Sequence, residues 1–399
     1  MKEIKKPGFM QEASTGKGHV WMLEMLICMV VYFVGSIIMS VGQTPGMLAY
    51  FLQSKDYIQM MRTGEIDMEA MTSLIQNMPE WMTIFMLFSE IFLIVTYLMY
   101  CRYFEKRKLH TMGFVRKGFV LQYIKGLLIG TAAFGAAYLV CLGTGSVQFG
   151  GAASDMIPIY ILLYFGGYMV QGMAEEVICR GFLLVSLSRK YSVWFSAAAS
   201  SLLFMALHFA NNGMTVLSMV NLFLFGMFMA LLFIQSGNIW IVAAVHSVWN
   251  FMQGNVMGVQ VSGLAKQNSI FLTTFTDGRD FLNGGSFGLE GGLAVTVTLL
   301  TAIGIVYYRM NKKGMLVESR IPSSVAEGQE KYVTEGERVY RNDPAEFTET
   351  PWRPDRTASS EDKADLLQEE SVKPGEIVQT PSEEQVHTVF NADYFSDRE

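Results

Sequence analysis

The sequence predicts an all-α protein: a polytopic transmembrane helix bundle of about eight spans, followed by a disordered cytoplasmic tail. Three observations lead there. The chain is 51% hydrophobic and only 17% charged. Its apolar residues gather in long runs between Val20 and about Met310, each near the roughly 20 residues a helix needs to cross the hydrocarbon core. From about Leu316 onward the composition turns to Pro, Ser, Thr and Glu without apolar periodicity, which leaves too little apolar surface to bury.

Residues 1–18 read as a cytoplasmic segment. Spans follow at roughly 19–42, 81–101, 119–143, 157–187, 193–210, 214–235, 238–258 and 291–309. The first lacks a small-residue cleavage site and reads as a retained span, not a signal peptide. Basic residues test the topology. Lys2, Lys5, Lys6 and Lys17 precede span one, and Arg102, Lys106, Arg107, Lys108, Arg116 and Lys117 follow span two. Arg189 and Lys190 follow span four, and Arg309, Lys312 and Lys313 close span eight. The alternate loops 144–156 and 211–213 have no Lys or Arg. The positive-inside rule then places both termini in the cytoplasm, which requires an even number of spans.

Loop 43–80 carries Met71, Leu74, Ile75 and Met78 at helical spacing, which suggests an amphipathic surface helix. The glycine-rich end of loop 259–290 is predicted to lack regular structure. The expected organisation is therefore a segment at 1–18, a helical membrane domain at 19–310 with its motifs within 119–258, and an acidic tail at 311–399.

Charge and cysteine usage exclude several classes. From Val317 onward there are 20 acidic and 9 basic residues, net −11, so the rest of the chain carries 16 acidic and 21 basic, net +5. Neither part has the concentrated basic surface that nucleic acid demands. Cys28, Cys101, Cys141 and Cys179 fall within or at the ends of apolar runs and make no CxxC pair, as expected of small buried hydrophobes. The apolar body shows no internal repeat of the kind transporters often carry.

Charges inside spans are expensive, about 2.5–3.5 kcal/mol each near a helix centre on insertion scales, and mark functional candidates. Span four holds "MAEEVICRGFLL", with Glu175, Glu176 and Arg180. Glu176 and Arg180 are four apart and can pair on one face. Glu175 is rotated about 100° away and lacks that partner. An unpaired carboxylate in a low-dielectric site suits general acid–base work. Span five contributes "FMALH", with Phe204 one turn before His208; span seven contributes "HSVWN", with His246 and Asn250 on one face. Each histidine alone is as readily a packing residue. Three helices that brought Glu175, His208, His246 and Asn250 together could activate a water and stabilise an oxyanion. Two imidazoles and a carboxylate are also the ligand types of many catalytic zinc sites. Glu90 could line such a cavity, Glu24 and Lys125 could snorkel to the interface, and Asn221 suits a helix–helix hydrogen bond. There is no HExxH motif.

"EEVICR", "FMALH" and "HSVWN" fit EExxxR, FxxxH and HxxxN in that order. Together they resemble the CPBP family of intramembrane endopeptidases, which includes the type II CAAX prenyl proteases and bacteriocin-processing or self-immunity (Abi-like) proteins. The resemblance covers about residues 119–258. It implies that Glu175 is the catalytic base acting with His208, that Glu176 and Arg180 form a supporting ion pair, and that His246 and Asn250 hold the oxyanion. If a divalent metal binds, zinc foremost, the implied ligands are Glu175, His208 and His246. The implied substrate is a membrane-associated peptide or protein, the implied setting a bacterial cell membrane, and the acidic tail could bind a cytoplasmic partner. A transporter or channel, or a non-catalytic scaffold or immunity protein using the same polar residues, is the alternative.

Overall fold

The computed structural model describes residues 2–318, apart from residues 17 and 77 and the side chains of 75 and 76, together with the backbone of 333–335 and 338–340. The expected disorder of the tail lies, from residue 319 on, outside the described residues but for those two short strands. The chain divides into two units, Met1–Ser319 and Arg320–Glu399.

In the first unit, strand β1 (Lys2–Ile4) and helix α1 (Gly8–Ala13) precede α2 (Trp21–Phe51), α3 (Lys55–Thr63) and α4 (Met68–Gln76). Helices α5 (Glu80–Ser89) and α6 (Ile91–Met99), with a π-helical end at Tyr100–Phe104, form the second apolar rod. Then come α7 (Phe119–Gly143), β2 (Val147–Ala152) and α8 (Pro158–Glu176). A π-helical stretch, Val177–Leu184, carries α8 without a break into α9 (Val185–Ser188). The bundle is completed by α10 (Val193–Leu207), α11 (Val216–Ser236), α12 (Ile239–Phe251) with a π-helical end at Met252–Val256, β3 (Phe271–Phe275), α13 (Asp280–Asn283), α14 (Leu293–Lys312) and β4 (Leu316–Glu318). In the second unit β5 (Val333–Glu335) pairs antiparallel with β6 (Arg338–Tyr340).

Among the described residues five helices are long and apolar enough to cross a membrane: α2, the 80–104 rod, α7, α11 and α14. The other three expected spans are modified, and they carry the motif residues. Residues 158–188 change from α to π geometry just after Glu176, and α12 does so just after Phe251. Helix α10 has only 15 residues, about 22 Å at 1.5 Å per residue, short of the ~30 Å hydrocarbon core. Residues 177–188 are wholly buried and α12 nearly so, and these stretches do not need the uniform hydrophobicity of a lipid-facing helix. π-bulges commonly occur at functional sites.

Helix α2 runs nine residues past its predicted end at 42, through Pro45. The long loop after it holds two helices, α3 and α4. The two loops at the opposite end from the basic residues pair through β2 and β3, with Val147 opposite Phe275, and the glycine-rich end of the second, predicted to lack regular structure, holds α13 and two 3-10 turns at Gly285–Phe287 and Leu289–Gly291. That strand pairing was not legible, because "VQFGGA" is short and glycine-rich. At the basic end β1 pairs with β4, Lys2 opposite Glu318, so the described part of the expected tail holds the last turn of α14 and a strand.

Close helix contacts place the motif-bearing elements. Gly126 and Gly130 let α7 lie against α12: a Cβ on Gly130 would fall 2.4 Å from Val248 Cγ1 and 2.7 Å from Val245 O. Glu24 does not snorkel. It turns inward, fully buried, and its Oε1 accepts from His19 N at 3.2 Å. Asn221 does bond across helices, accepting from Thr296 Oγ1 of α14 at 2.6 Å. All four cysteines are buried and free.

Candidate active site

Helix α8 approaches α12 so closely that a Cβ on Gly172 would sit 2.6 Å from Ser247 Oγ and 2.8 Å from Ser247 N. One turn later the same helix presents the two glutamates to α12. Glu176 and Arg180 are fully buried, and Arg180 Nη1 donates to Glu176 Oε1 at 2.9 Å. The other end of the guanidinium donates to Gly226 O of α11 at 2.9 Å, and its carbon lies 5.0 Å from the Phe204 ring centroid. Arg180 therefore ties α8, α10 and α11 together through an ion pair, a backbone bond and a cation–π contact.

Both intramembrane histidines are held by Nδ1. His246 Nδ1 lies 2.9 Å from Glu176 Oε1, the same oxygen that accepts from Arg180. His208 Nδ1 lies 2.8 Å from Phe204 O, one turn back on its own helix. Donation to a carboxylate and a carbonyl requires the proton on Nδ1 in each ring, which turns Nε2 toward the cavity. There, Glu175 Oε2 is 3.9 Å from His208 Nε2 and 3.8 Å from His246 Nε2. Residues from α8, α10 and α12 thus meet at one carboxylate oxygen.

These groups line a cavity of about 50 Å³, enough for a few water molecules. Asn250 also lines it and donates Nδ2–H to Gln171 Oε1 at 2.9 Å, which leaves its second amide hydrogen. Phe225 covers His246 edge-on at 5.2 Å between ring centroids. Glu290, 8% exposed, closes the far wall. Its Oε1 accepts from Trp249 Nε1 at 3.1 Å, and its Oε2 accepts from Ser262 N at 2.8 Å and Ser262 Oγ at 2.6 Å. One carboxylate thereby pins the loop after α12 across the cavity.

The spacing can be weighed against two occupants. Tetrahedral zinc with ligands at about 2.1 Å holds donor atoms about 3.4 Å apart. A water donating both protons at about 2.8 Å holds its acceptors about 4.4 Å apart. The observed 3.8 and 3.9 Å fall between the two. Among the described residues no group of three His, Cys, Asp or Glu is drawn together tightly enough for a metal. The donor types nonetheless suit one, and both imidazoles have the Nδ1 partners that orient metal-ligating histidines.

Every residue of the three motifs is placed here: Glu175, His208, His246 and Asn250 on the cavity, Glu176 and Arg180 buried beside it, and Phe204 with its ring tilted 46° to that of His208 at 4.7 Å, whereas Glu90, which the sequence offered as a further lining residue, does not line the cavity. Sequence reasoning missed Gln171, Trp249, Ser262 and Glu290. Gln171 was within reach, four residues before Glu175 on one helical face. Ser262 and Glu290 come from a loop whose path no periodicity reveals.

Residues 157–252 match the family model described as Type II CAAX prenyl endopeptidase Rce1-like. The matched segment covers 96 of the 399 residues and includes all of Glu175, Glu176, Arg180, His208, His246 and Asn250. The match supports a CPBP family membrane protease, in agreement with the apolar helices of an integral membrane protein. Comparison with curated proteins finds no match.

Proposed function

We propose that this protein is an intramembrane endopeptidase that hydrolyses peptide bonds of membrane-associated proteins or peptides, in the manner of a CAAX protease. The observation that carries the reading is the position of Glu175 Oε2, within 4 Å of Nε2 of both His208 and His246 while the neighbouring Glu176 is committed to Arg180.

The chemistry follows from the proton positions. A water between Glu175 and His208 donates to both acceptors. Glu175 removes one of its protons as the oxygen attacks the peptide carbonyl carbon. The carbonyl oxygen becomes an oxyanion, held by the free Asn250 amide hydrogen and by Nε2–H of a protonated His246. With His246 charged, two carboxylates face one guanidinium and one imidazolium, so the buried group is neutral in sum. Glu175 then passes its proton to the leaving nitrogen, and the C–N bond breaks. If a divalent cation takes part, Glu175, His208 and His246 would hold it, and it would polarise the water and the carbonyl.

The charge pattern supports both termini in the cytoplasm, with the lipid bilayer around the bundle and no nucleic-acid partner, and the family resemblance suggests a bacterial cell membrane. In this reading the acidic tail binds a cytoplasmic partner. The decisive experiment compares N- and C-terminal peptides from membranes of cells bearing wild type or Glu175→Gln. New termini that vanish in the variant support the reading. Identical termini in both, with solute flux in liposomes that depends on Glu175, would replace it with a transporter.

A further inference from the structure

A second concavity lies between α7, α11 and α14 and shares no lining residue with the cavity around Glu175. Its volume is about 750 Å³. From Lys125 to Val140 it follows α7 for about 22 Å, most of the hydrocarbon thickness. Its floor includes the small side chain of Ala136. Between its ends the α14 wall carries Thr298 and Thr301, whose hydroxyls donate to Ala294 O and Val297 O of their own helix, so this middle stretch offers hydrocarbon and no free hydroxyl donor.

The two ends differ in charge. Lys125, Arg309 and Lys313 all line the groove near its basic end, and no acidic residue lines it anywhere. None of the three makes an ion pair or side-chain hydrogen bond among the described residues. An occupant that satisfies both features is long and apolar with negative charge at one end only. A second copy of the chain docked by two-fold symmetry would bring the same three cations face to face. A plain apolar helix would leave them without a counter-charge.

We propose that this groove binds one anionic phospholipid, with its acyl chains along α7 and α14 and its phosphate among Lys125, Arg309 and Lys313. The site is independent of the peptidase reading.

The test uses the purified full chain, delipidated in detergent and titrated with phosphatidylglycerol or phosphatidylcholine, with bound lipid counted by native mass spectrometry. Wild type should retain phosphatidylglycerol in preference to phosphatidylcholine. The triple variant Lys125→Gln, Arg309→Gln, Lys313→Gln should bind phosphatidylglycerol roughly tenfold or more weakly at an unchanged thermal transition. Ala136→Trp, which fills the groove, should reduce binding of both lipids. Arg116→Gln with Lys117→Gln, exposed charges at the same end but outside the groove, should leave binding unchanged. The proposal is overturned by equal retention of the two lipids, by a triple variant that binds like wild type, or by equal losses in the groove and control variants. Binding that survives Ala136→Trp, or copies that cross-link through cysteines placed in the groove, would overturn it as well.

Discussion

His246 Nδ1 and Arg180 Nη1 converge on one oxygen of Glu176, each at 2.9 Å, and the second oxygen of that carboxylate is buried without a partner. Glu176 is therefore the junction between the structural ion pair and the reactive cluster. It sets the tautomer of His246 while it neutralises Arg180. Arg180→Ala strands a buried carboxylate and should cost about 3–5 kcal/mol, whereas the paired change Glu176→Gln with Arg180→Met should recover part of that loss. Thermal unfolding in detergent measures both, and equal midpoints for the single and double variants would refute the coupling.

Gly172 and Gly135 make a matched contrast. Gly172→Val forces α8 away from Ser247 of α12, moving Glu175 relative to His246, and should lower both stability and proteolysis. Gly135 of α7 has open space around its α-carbon, so Gly135→Ala should be neutral or raise stability by about 0.5–1 kcal/mol through helix propensity. Parallel unfolding and cleavage assays would separate the two positions.

Glu290 should act through the loop it holds. In Glu290→Gln an amide NH₂ must face donors from Trp249 or Ser262, and one buried bond is lost at about 1–3 kcal/mol. Hydrogen exchange at residues 259–264 should rise, while Glu290→Asp, which keeps the acceptors, should be milder.

The N-terminal segment carries a pH-sensitive contact. His110 and Lys108 hold the Glu12 carboxyl below its ordinary value of 4.5, mainly through their hydrogen bonds to it. A lowered folded pKa means that the contribution is present above the unfolded value and is lost as pH falls through the lower folded one. Exchange protection of α1 should therefore persist at neutral pH and decline only below pH 4.5, and Glu12→Gln should remove that dependence.

Much of the site was legible because helical spacing is a strong constraint. Glu176 and Arg180 had to share a face whether the turn between them was α or partly π, and His246 and Asn250 likewise. The excess of acceptors over cations at "EEVICR" marked Glu175 as the free carboxylate. The change to π geometry after Glu176 was not legible, because Val177–Leu184 carries no Pro and reads like any other apolar helical run. The roles of Ser262 and Glu290 were hidden for a related reason. Their partners lie 28 to 41 residues away along a loop without periodicity.

By itself the sequence determined which segments are helical and apolar, which charges stand inside them, and which of those charges can pair within one helix. These are local matters, governed by hydrophobicity and the 3.6-residue turn. Only the tertiary structure decided that α8, α10 and α12 meet at Glu175, that Glu176 serves both Arg180 and His246, and that Glu290 draws a loop across the cavity. Each of these depends on how closely helices approach, and that is set by contacts such as Gly172 against Ser247, between residues far apart in the chain.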